Sequence, residues 1–172
     1  YSRESLRSHM GIVLQDPYLF TGTIASNVSM NEETADKTRI LQALEKVGAG
    51  PMLSRLEKGI DEPVVEKGAA FSSGERQLIA FARTLYSDPK ILILDEATSH
   101  IDTETEEIIQ HAMEVVKEGR TTFIIAHRLS TIQNADQIFV LDQGRIIEYG
   151  KHEDLIAFGG TYSQMHEIQA RV

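Results

Sequence analysis

The chain has 172 residues, enough for one domain with a sizeable core, and its 41% hydrophobic and 25% charged residues are typical of globular domains. The formal net charge of −9 argues against a broad nucleic-acid-binding surface. The chain has no cysteine, which excludes a disulfide framework, a thiolate metal site and a cysteine nucleophile. Its apolar runs are too short for a transmembrane helix, so we do not expect it to cross a membrane by itself.

Short apolar runs alternate with helical patterns along the chain. Three of these runs are rich in β-branched residues and predict buried strands: Gly11–Leu14, Ile91–Leu94 and Thr122–Ala126. Because helical periodicity separates them, their order predicts an α/β domain with a largely parallel sheet. Further on, Ile138–Leu141 and Arg145–Tyr149 flank the turn Asp142-Gln143-Gly144 and predict a hairpin at the sheet edge.

The stretch 31–88 differs from the rest because it contains no convincing strand. It holds a helical pattern at Thr38–Val47, a Gly/Pro break at 48–51 and a loop at 58–70. We interpret it as a helical insert between the first and second strands. The predicted organisation is therefore a core segment at 1–30, the helical insert at 31–88 and a second core segment at 89–172.

Two helices can be predicted in more detail. The first, from about Ser73 to Tyr86, carries its apolar residues on one side: Leu78, Ile79, Ala82 and Leu85. The second follows Asp102, ends at Gly119 and has its own apolar stripe: Ile108, Ile109, Ala112, Met113 and Val116. The acidic cluster at 102–107 could hold a metal, but capping by Asp102 and a favourable helix dipole explain it better.

Polar residues follow all three predicted strands. Gln15 follows the first strand, Asp95 and Glu96 the second, and His127 the third. Each alone could be an ordinary surface residue. Open α/β sheets bind ligands at the carboxyl ends of their strands, so three polar ends meeting at one edge predict a site.

The segment Phe71–Gln77 opens the first of the two helices. Its small residues, Ser72, Ser73 and Gly74, leave backbone N–H groups approachable, which creates an anion site. The alternative is an ordinary serine N-cap with Glu75 in a favourable first-turn position.

Together these motifs resemble those of ATP-binding-cassette (ABC) ATPases over practically the whole chain. The matching motifs are a Q-loop at Gln15, a signature helix at Phe71–Gln77, a Walker B strand at Ile91–Glu96, a D-loop at Ser99–Asp102 and a switch-histidine loop at Ile125–Arg128. The resemblance implies a P-loop NTPase fold with a RecA-like core and a helical subdomain.

Two further stretches resemble the exporter type, in which the ATPase is fused to a transmembrane domain. They are Leu19–Ile24 followed by Asn27-Val28, and Glu62–Gly68 before the signature. The resemblance implies an ATPase domain at the cytoplasmic face of the cell membrane that couples ATP hydrolysis to export. Its implied partners are the transmembrane domain of the same transporter and a second ATPase domain, with no nucleic acid.

The resemblance also implies a role for each strand-end residue in Mg²⁺-dependent ATP hydrolysis. Asp95 would hold Mg²⁺, and Gln15 would approach both the metal and the attacking water. Glu96 would act as general base, and His127 would hydrogen-bond the γ-phosphate.

In this family two ATPase domains enclose two ATP molecules between them. The resemblance implies that Ser72 and the amides of Ser73 and Gly74 contact the ATP of the partner domain. It implies that Asp102 links the two active sites through the D-loop.

The sequence departs from the family pattern at three places. The phosphate-binding Walker A pattern Gly-x-x-x-x-Gly-Lys-[Ser/Thr] does not occur; in the family it lies upstream of the Q-loop, so we expect a longer parent protein and an inactive isolated chain. The signature has Ser73 and Glu75 where glycine and glutamine are usual, and the D-loop has His100 where alanine is usual. A weakened signature beside intact Glu96 and His127 favours one half of a heterodimer.

Two other functions remain open at this stage. One is a soluble ABC-type ATPase that acts on nucleic acid or ribosomes, against which the acidic charge and the exporter-like stretch after Gln15 argue. The other is an ATP-gated dimerisation module without turnover, against which Glu96 and His127 argue.

Overall fold

The structure is a computed structural model that describes residues 2–95 and 103–170. It forms two compact units, Tyr1–Ile125 and Ala126–Val172. These units do not coincide with the three predicted segments, whose boundaries stay a prediction.

The first unit contains helices packed on a parallel sheet. Its elements in chain order are α1 (Arg3–Arg7), β1 (Met10–Val13), β2 (Gly22–Thr23), α2 (Ile24–Ser29), α3 (Lys37–Lys46), α4 (Gly50–Ser54), β3 (Pro63–Val64), α5 (Ser73–Ser87), β4 (Ile91–Asp95), α6 (Thr103–Lys117) and β5 (Thr121–Ile125). The three predicted strands and the helices of the sequence analysis are all present, with strand ends shifted by one residue.

The sheet has the strand order β1-β4-β5, and both strand pairs are parallel. Val13 lies opposite Leu94, which lies opposite Ile124, so these three side chains share one face. Val13 and Leu94 are buried in the main core and Ile124 packs against it. The opposite face carries Ile12 and Phe123, which are both 58% exposed.

Helices α5 and α6 bury the apolar stripes that the sequence predicts. Helix α5 packs against β1, α2, α3 and α6. The buried members of the two stripes are Leu78, Ile79, Ala82, Ile109, Ala112, Met113 and Val116. Gly119, at φ 71°, follows α6 in the left-handed conformation that glycine adopts most readily.

The prediction that the stretch 31–88 lacks strands is wrong at Pro63–Val64. These two residues pair antiparallel with Gly22–Thr23. A strand of two residues has no measurable alternation, and Pro63 argues against a strand at that position. Within the predicted break, Pro51 lies in the first turn of α4, where its missing N–H costs no hydrogen bond.

The second unit contains a hairpin and two short helices. Its elements are a 3₁₀ turn (Leu129–Ile132), β6 (Ile138–Asp142), β7 (Arg145–Gly150), α7 (His152–Phe158) and α8 (Thr161–Gln169). Its core consists of Leu129, Ile138, Leu155 and Tyr162.

The hairpin is confirmed as an antiparallel pair. Its turn residues Gln143 and Gly144 have φ values of 47° and 75°, as a tight hairpin turn with two positive φ angles requires. Its predicted position at the edge of the parallel sheet is wrong for the described residues, where β6 and β7 form a separate two-stranded sheet.

Within 2–95 and 103–170, none of the helices is both long enough and apolar enough to span a bilayer.

Candidate functional site

The carboxyl ends of β1 and β4 bring two predicted site residues to one edge of the sheet. Asp95 is the last residue of β4, and Gln15 follows β1 by two residues. Because β1 and β4 are parallel, both residues lie at the same edge. Gln15 is exposed and Asp95 is half-buried, so a ligand can reach both. Glu96 and Asp102 lie outside the described residues.

His127, the third predicted strand-end residue, belongs to the second unit, where its side chain is exposed. Gln169 of α8 holds the backbone around it: Gln169 Nε2 donates to the His127 carbonyl at 3.0 Å, and Leu129 N donates to Gln169 Oε1 at 2.9 Å. One amide side chain therefore bridges both sides of the histidine loop. No local pattern in the sequence points to Gln169, because it lies 42 residues beyond His127.

The start of α5 has the serine N-cap that the sequence offered as an alternative to an anion site. Ser72 Oγ accepts from Glu75 N at 3.2 Å, and Glu75 Oε2 accepts from Ser72 N at 2.8 Å, which completes a capping box. The capping box does not use the amides of Ser73 and Gly74, which stand in the first turn where a helix offers no internal acceptor. A capped helix and an anion site are therefore compatible here.

Gly74 allows the start of α5 to lie close to the first turn of α6. A Cβ atom at this position would overlap the side chain of Thr105. Gly74 itself is buried. A glycine at position 74 is therefore required for close packing between the signature helix and the helix that follows the D-loop segment.

Glu75 is paired with a cation that sequence reasoning missed. Its Oε1 atom forms an ion pair with the Arg55 guanidinium, which directly follows α4. The Glu75 side chain is only 19% exposed, whereas that of Arg55 is 70% exposed. The negative charge that Glu75 brings to the signature is therefore both paired with Arg55 and bonded to the helix cap.

Two arginines of α5, Arg76 and Arg83, bond to the segment that follows Gln15. Arg76 donates to the Phe71 carbonyl at 2.9 Å and forms an ion pair with Asp16 at 3.4 Å. Arg83 donates through Nε to the Asn27 carbonyl at 2.8 Å. Burial lowers the pKa of Arg83.

Asn27 fixes the loop that carries the exporter-like residues. It is 1% exposed. Its Oδ1 accepts from Phe20 N at 2.8 Å, and its Nδ2 donates to the carbonyls of Phe20 and Thr23 at 2.8 and 2.9 Å. The neighbouring Ile24 N donates to the Glu62 carbonyl at 3.1 Å, so both exporter-like stretches are hydrogen-bonded to each other.

The donor chemistry at the strand ends fits Mg²⁺ bound together with a phosphate ligand. A carboxylate at Asp95 and an amide oxygen at Gln15 are the hard donors that this ion prefers. Among the described residues, no group of three or more histidines or carboxylates could hold a metal. Mg²⁺ sites with one or two protein ligands usually take the remaining ligands from substrate phosphates and water.

Known proteins match the chain along nearly its whole length. A family model described as ABC transporter matches residues 1–99. The probable multidrug resistance ABC transporter ATP-binding/permease protein YheH of Bacillus subtilis strain 168 is 67% identical over 168 residues, which cover 98% of this chain and 25% of that protein. An ATP-dependent lipid A-core flippase of Burkholderia orbicola strain AU 1054 is 47% identical over 169 residues, covering 98% of this chain and 28% of that protein.

A solved structure of a bacterial Atm1-family ABC exporter with ATP bound also matches. The TM-score is 0.87 at 44% sequence identity, over 98% of this chain and 30% of that one. The fold is therefore that of an ABC ATPase, an α/β architecture of the P-loop NTPase class, as the sequence predicted. The chain belongs to the ABC transporter family, and the relatives it resembles are exporters and flippases. It spans between 25% and 30% of their lengths.

Proposed function

We propose that this chain is part of the ATPase domain of an ABC exporter, where it couples ATP hydrolysis to the export of a substrate across a membrane. The observation that carries the proposal is the common sheet edge of Gln15 and Asp95, beside a signature helix bonded to the segment after Gln15. The multidrug and lipid A relatives support the exporter type. The domain would lie at the cytoplasmic face of the membrane.

Each strand-end residue has its own role in hydrolysis. Asp95 and Gln15 would hold Mg²⁺, which would neutralise charge on the phosphate oxygens. Glu96 accepts the proton of the attacking water as general base. His127 donates a hydrogen bond to the γ-phosphate and so keeps it in line with that water.

The signature residues act on the ATP of a second ATPase domain. Ser72 contributes its hydroxyl, and Ser73 and Gly74 contribute backbone N–H groups at a helix N-terminus, which favours an anion. Asp102 links the two active sites. The transmembrane domain of the same transporter contacts the exporter-like stretch Glu62–Gly68. We propose a heterodimer because Ser73 and Glu75 depart from the usual signature while Glu96 and His127 match the family pattern.

The phosphate-binding lysine loop has to come from another part of the parent protein. Its backbone N–H groups and lysine supply most direct phosphate contacts in this family. We therefore expect the 172 residues by themselves to bind ATP weakly and to hydrolyse it negligibly.

The test is single-turnover hydrolysis by the full transporter that contains this chain, with bound nucleotide measured separately. Glu96→Gln preserves shape and removes the base, so ATP should stay bound while hydrolysis at this chain's site stops. His127→Ala should slow the same step strongly. Glu118→Gln, on an exposed carboxylate beyond α6, is the matched control and should leave the rate unchanged. Parental turnover in both Glu96→Gln and His127→Ala would contradict the proposal.

A further inference from the structure

The pair of Arg55 and Glu75 joins two parts of the chain that lie 20 residues apart. Glu75 uses one carboxylate oxygen for Arg55 and the other for the backbone N–H of Ser72. The carboxylate therefore connects the N-cap of α5 to the Arg55 guanidinium. The carboxylate is largely covered, and the guanidinium remains mostly exposed.

Stability alone does not account for this arrangement. Arg55 is mostly exposed, and ion pairs at the protein surface contribute little to folding, because solvent screens them and ordering long side chains costs entropy. The capping box already positions Glu75 without any help from Arg55. What Arg55 adds is a positive charge beside the only carboxylate in the first turn of α5.

We propose that Arg55 is a positioning residue that keeps the signature helix able to receive the ATP of the partner domain. This inference rests on the proposed function, in which the start of α5 faces the partner's γ-phosphate. A signature glutamine carries no net charge at this position. The pair of Glu75 and Arg55 is also neutral in sum, so the helix N-terminus keeps its attraction for an anion.

Removing Arg55 alone leaves a full negative charge next to the amides of Ser73 and Gly74. Two like charges repel, and the repulsion opposes the closing of the two ATPase domains around ATP. Removing the charge of Glu75 as well abolishes the need for Arg55. The effect of Arg55 should therefore depend entirely on whether residue 75 is charged.

The chain offers a matched control in the pair of Lys37 and Asp61. Its charged atoms are 3.0 Å apart, and its side chains are 66% and 56% exposed. It links α3 to the 3₁₀ turn Gly59–Asp61, as the Arg55 pair links the end of α4 to α5. It belongs to no motif that we place in ATP binding.

The experiment uses the full transporter with its partner half and follows domain closure by fluorescence labels as MgATP is titrated. Arg55→Ala should raise the half-maximal MgATP concentration roughly tenfold, as expected for an uncompensated like charge. In the Glu75→Gln background the same substitution should have no effect. Lys37→Ala should leave closure unchanged.

The dependence on salt distinguishes charge compensation from a purely structural role of Arg55, which would not vary with ionic strength. The effect of Arg55→Ala should shrink as ionic strength rises, because salt screens the repulsion between Glu75 and phosphate. Arg55→Lys should restore most of the parental closure, which also covers the case in which Arg55→Ala fails to fold.

Several outcomes overturn the proposal. They are an equal effect of Arg55→Ala in both backgrounds, an effect independent of salt, and an equal shift from Lys37→Ala. Failure of the proposed function can be told apart from failure of this inference. If the proposed function were wrong, Glu96→Gln would leave ATP turnover intact, with or without the Arg55 substitution.

Discussion

Val13 of β1 lies directly opposite Leu94 of β4 in a parallel pair, and both side chains are buried at 3% exposure. This pairing sets the ends of the two strands level. Gln15 and Asp95 therefore leave the sheet at the same edge. The packing of two apolar residues thus determines where the polar residues of the site meet.

Leu94→Ala should destabilise the protein by about 2–5 kcal/mol, because it removes buried methyl groups and leaves a cavity under the helices. It should also lower ATP turnover, since Asp95 is the next residue. Denaturant unfolding measures the first effect and steady-state hydrolysis by the full transporter measures the second. Leu41→Ala, at a side chain that is 40% exposed on α3, is the control and should change stability by less than about 1 kcal/mol. Equal losses for the two variants would contradict this account of the core.

Arg83 satisfies backbone carbonyls in the loop that follows the Q-loop. It donates to the carbonyls of Asn27 at 2.8 Å and Tyr18 at 3.3 Å. Arg83→Met keeps the apolar stem and leaves these acceptors unpaired, at about 1–3 kcal/mol for the partly buried Asn27 carbonyl and less for the exposed Tyr18 carbonyl. We expect a lower melting temperature and weaker coupling between ATP hydrolysis and transport, because Ile24 of this loop is hydrogen-bonded to Glu62, at the start of the stretch proposed to contact the membrane domain.

Lys46→Met provides the comparison for Arg83→Met, because Lys46 is exposed in the last turn of α3. It removes a cation of similar length without removing a donor to the carbonyls of Asn27 and Tyr18. A parental transport-to-hydrolysis ratio in Arg83→Met would show that this loop does not carry the coupling.

Gln169 holds the histidine loop through two hydrogen bonds, one that it accepts and one that it donates. A single-atom change can remove the donated bond and keep the accepted one. Gln169→Glu keeps the acceptor for Leu129 N and replaces the donor to the His127 carbonyl with an oxygen. Two acceptors then face each other, so the loop should shift. We expect kcat to fall roughly fivefold to a hundredfold, which corresponds to about 1–3 kcal/mol in free energy, while KM for ATP stays nearly unchanged.

Gln164→Glu, at an exposed position on the same helix, introduces the same charge without touching the loop. Its kinetics should match those of the parent. If Gln169→Glu and Gln164→Glu behave alike, Gln169 has no role in positioning His127.

Much of the first unit could be predicted from periodicity. The stripe on α5 and the β-branched strands carry strong local signals, so Ile79, Ala82 and Leu92 are buried as expected. The strand at Pro63–Val64 has no such signal, because its partner at Gly22–Thr23 lies about 40 residues away along the chain and only the folded structure brings them together.

The candidate site could likewise be predicted from the sequence only in part. Motif order pointed to Gln15, Asp95 and the signature helix, since these residues follow recognisable strands or open a helix. Arg55 and Gln169 could not be found in this way. Each acts on a residue 20 or 42 positions distant, and an arginine or glutamine at a helix end carries no pattern of its own.

The last prediction is that the working transporter is an asymmetric heterodimer. Asp95, Glu96 and His127 would form a competent site with the signature helix of the partner half. The signature of this chain would close the other site, where the Cβ atom of Ser73 restricts the approach of phosphate. That second site should hold ATP longer and hydrolyse it slowly.

The structure indicates which of the two departures from the usual signature should slow hydrolysis at the second site more. Because Arg55 pairs with Glu75, most of the slowness should come from Ser73. Ser73→Gly should therefore speed the slow site strongly, whereas Glu75→Gln alone should change it little, and neither should alter the fast site. The measurement is site-resolved single-turnover hydrolysis by the full-length chain, expressed alone and with a neighbouring transporter half. A homodimer with full transport and two equally fast ATP sites would contradict the prediction, since a symmetric assembly gives both sites the same signature.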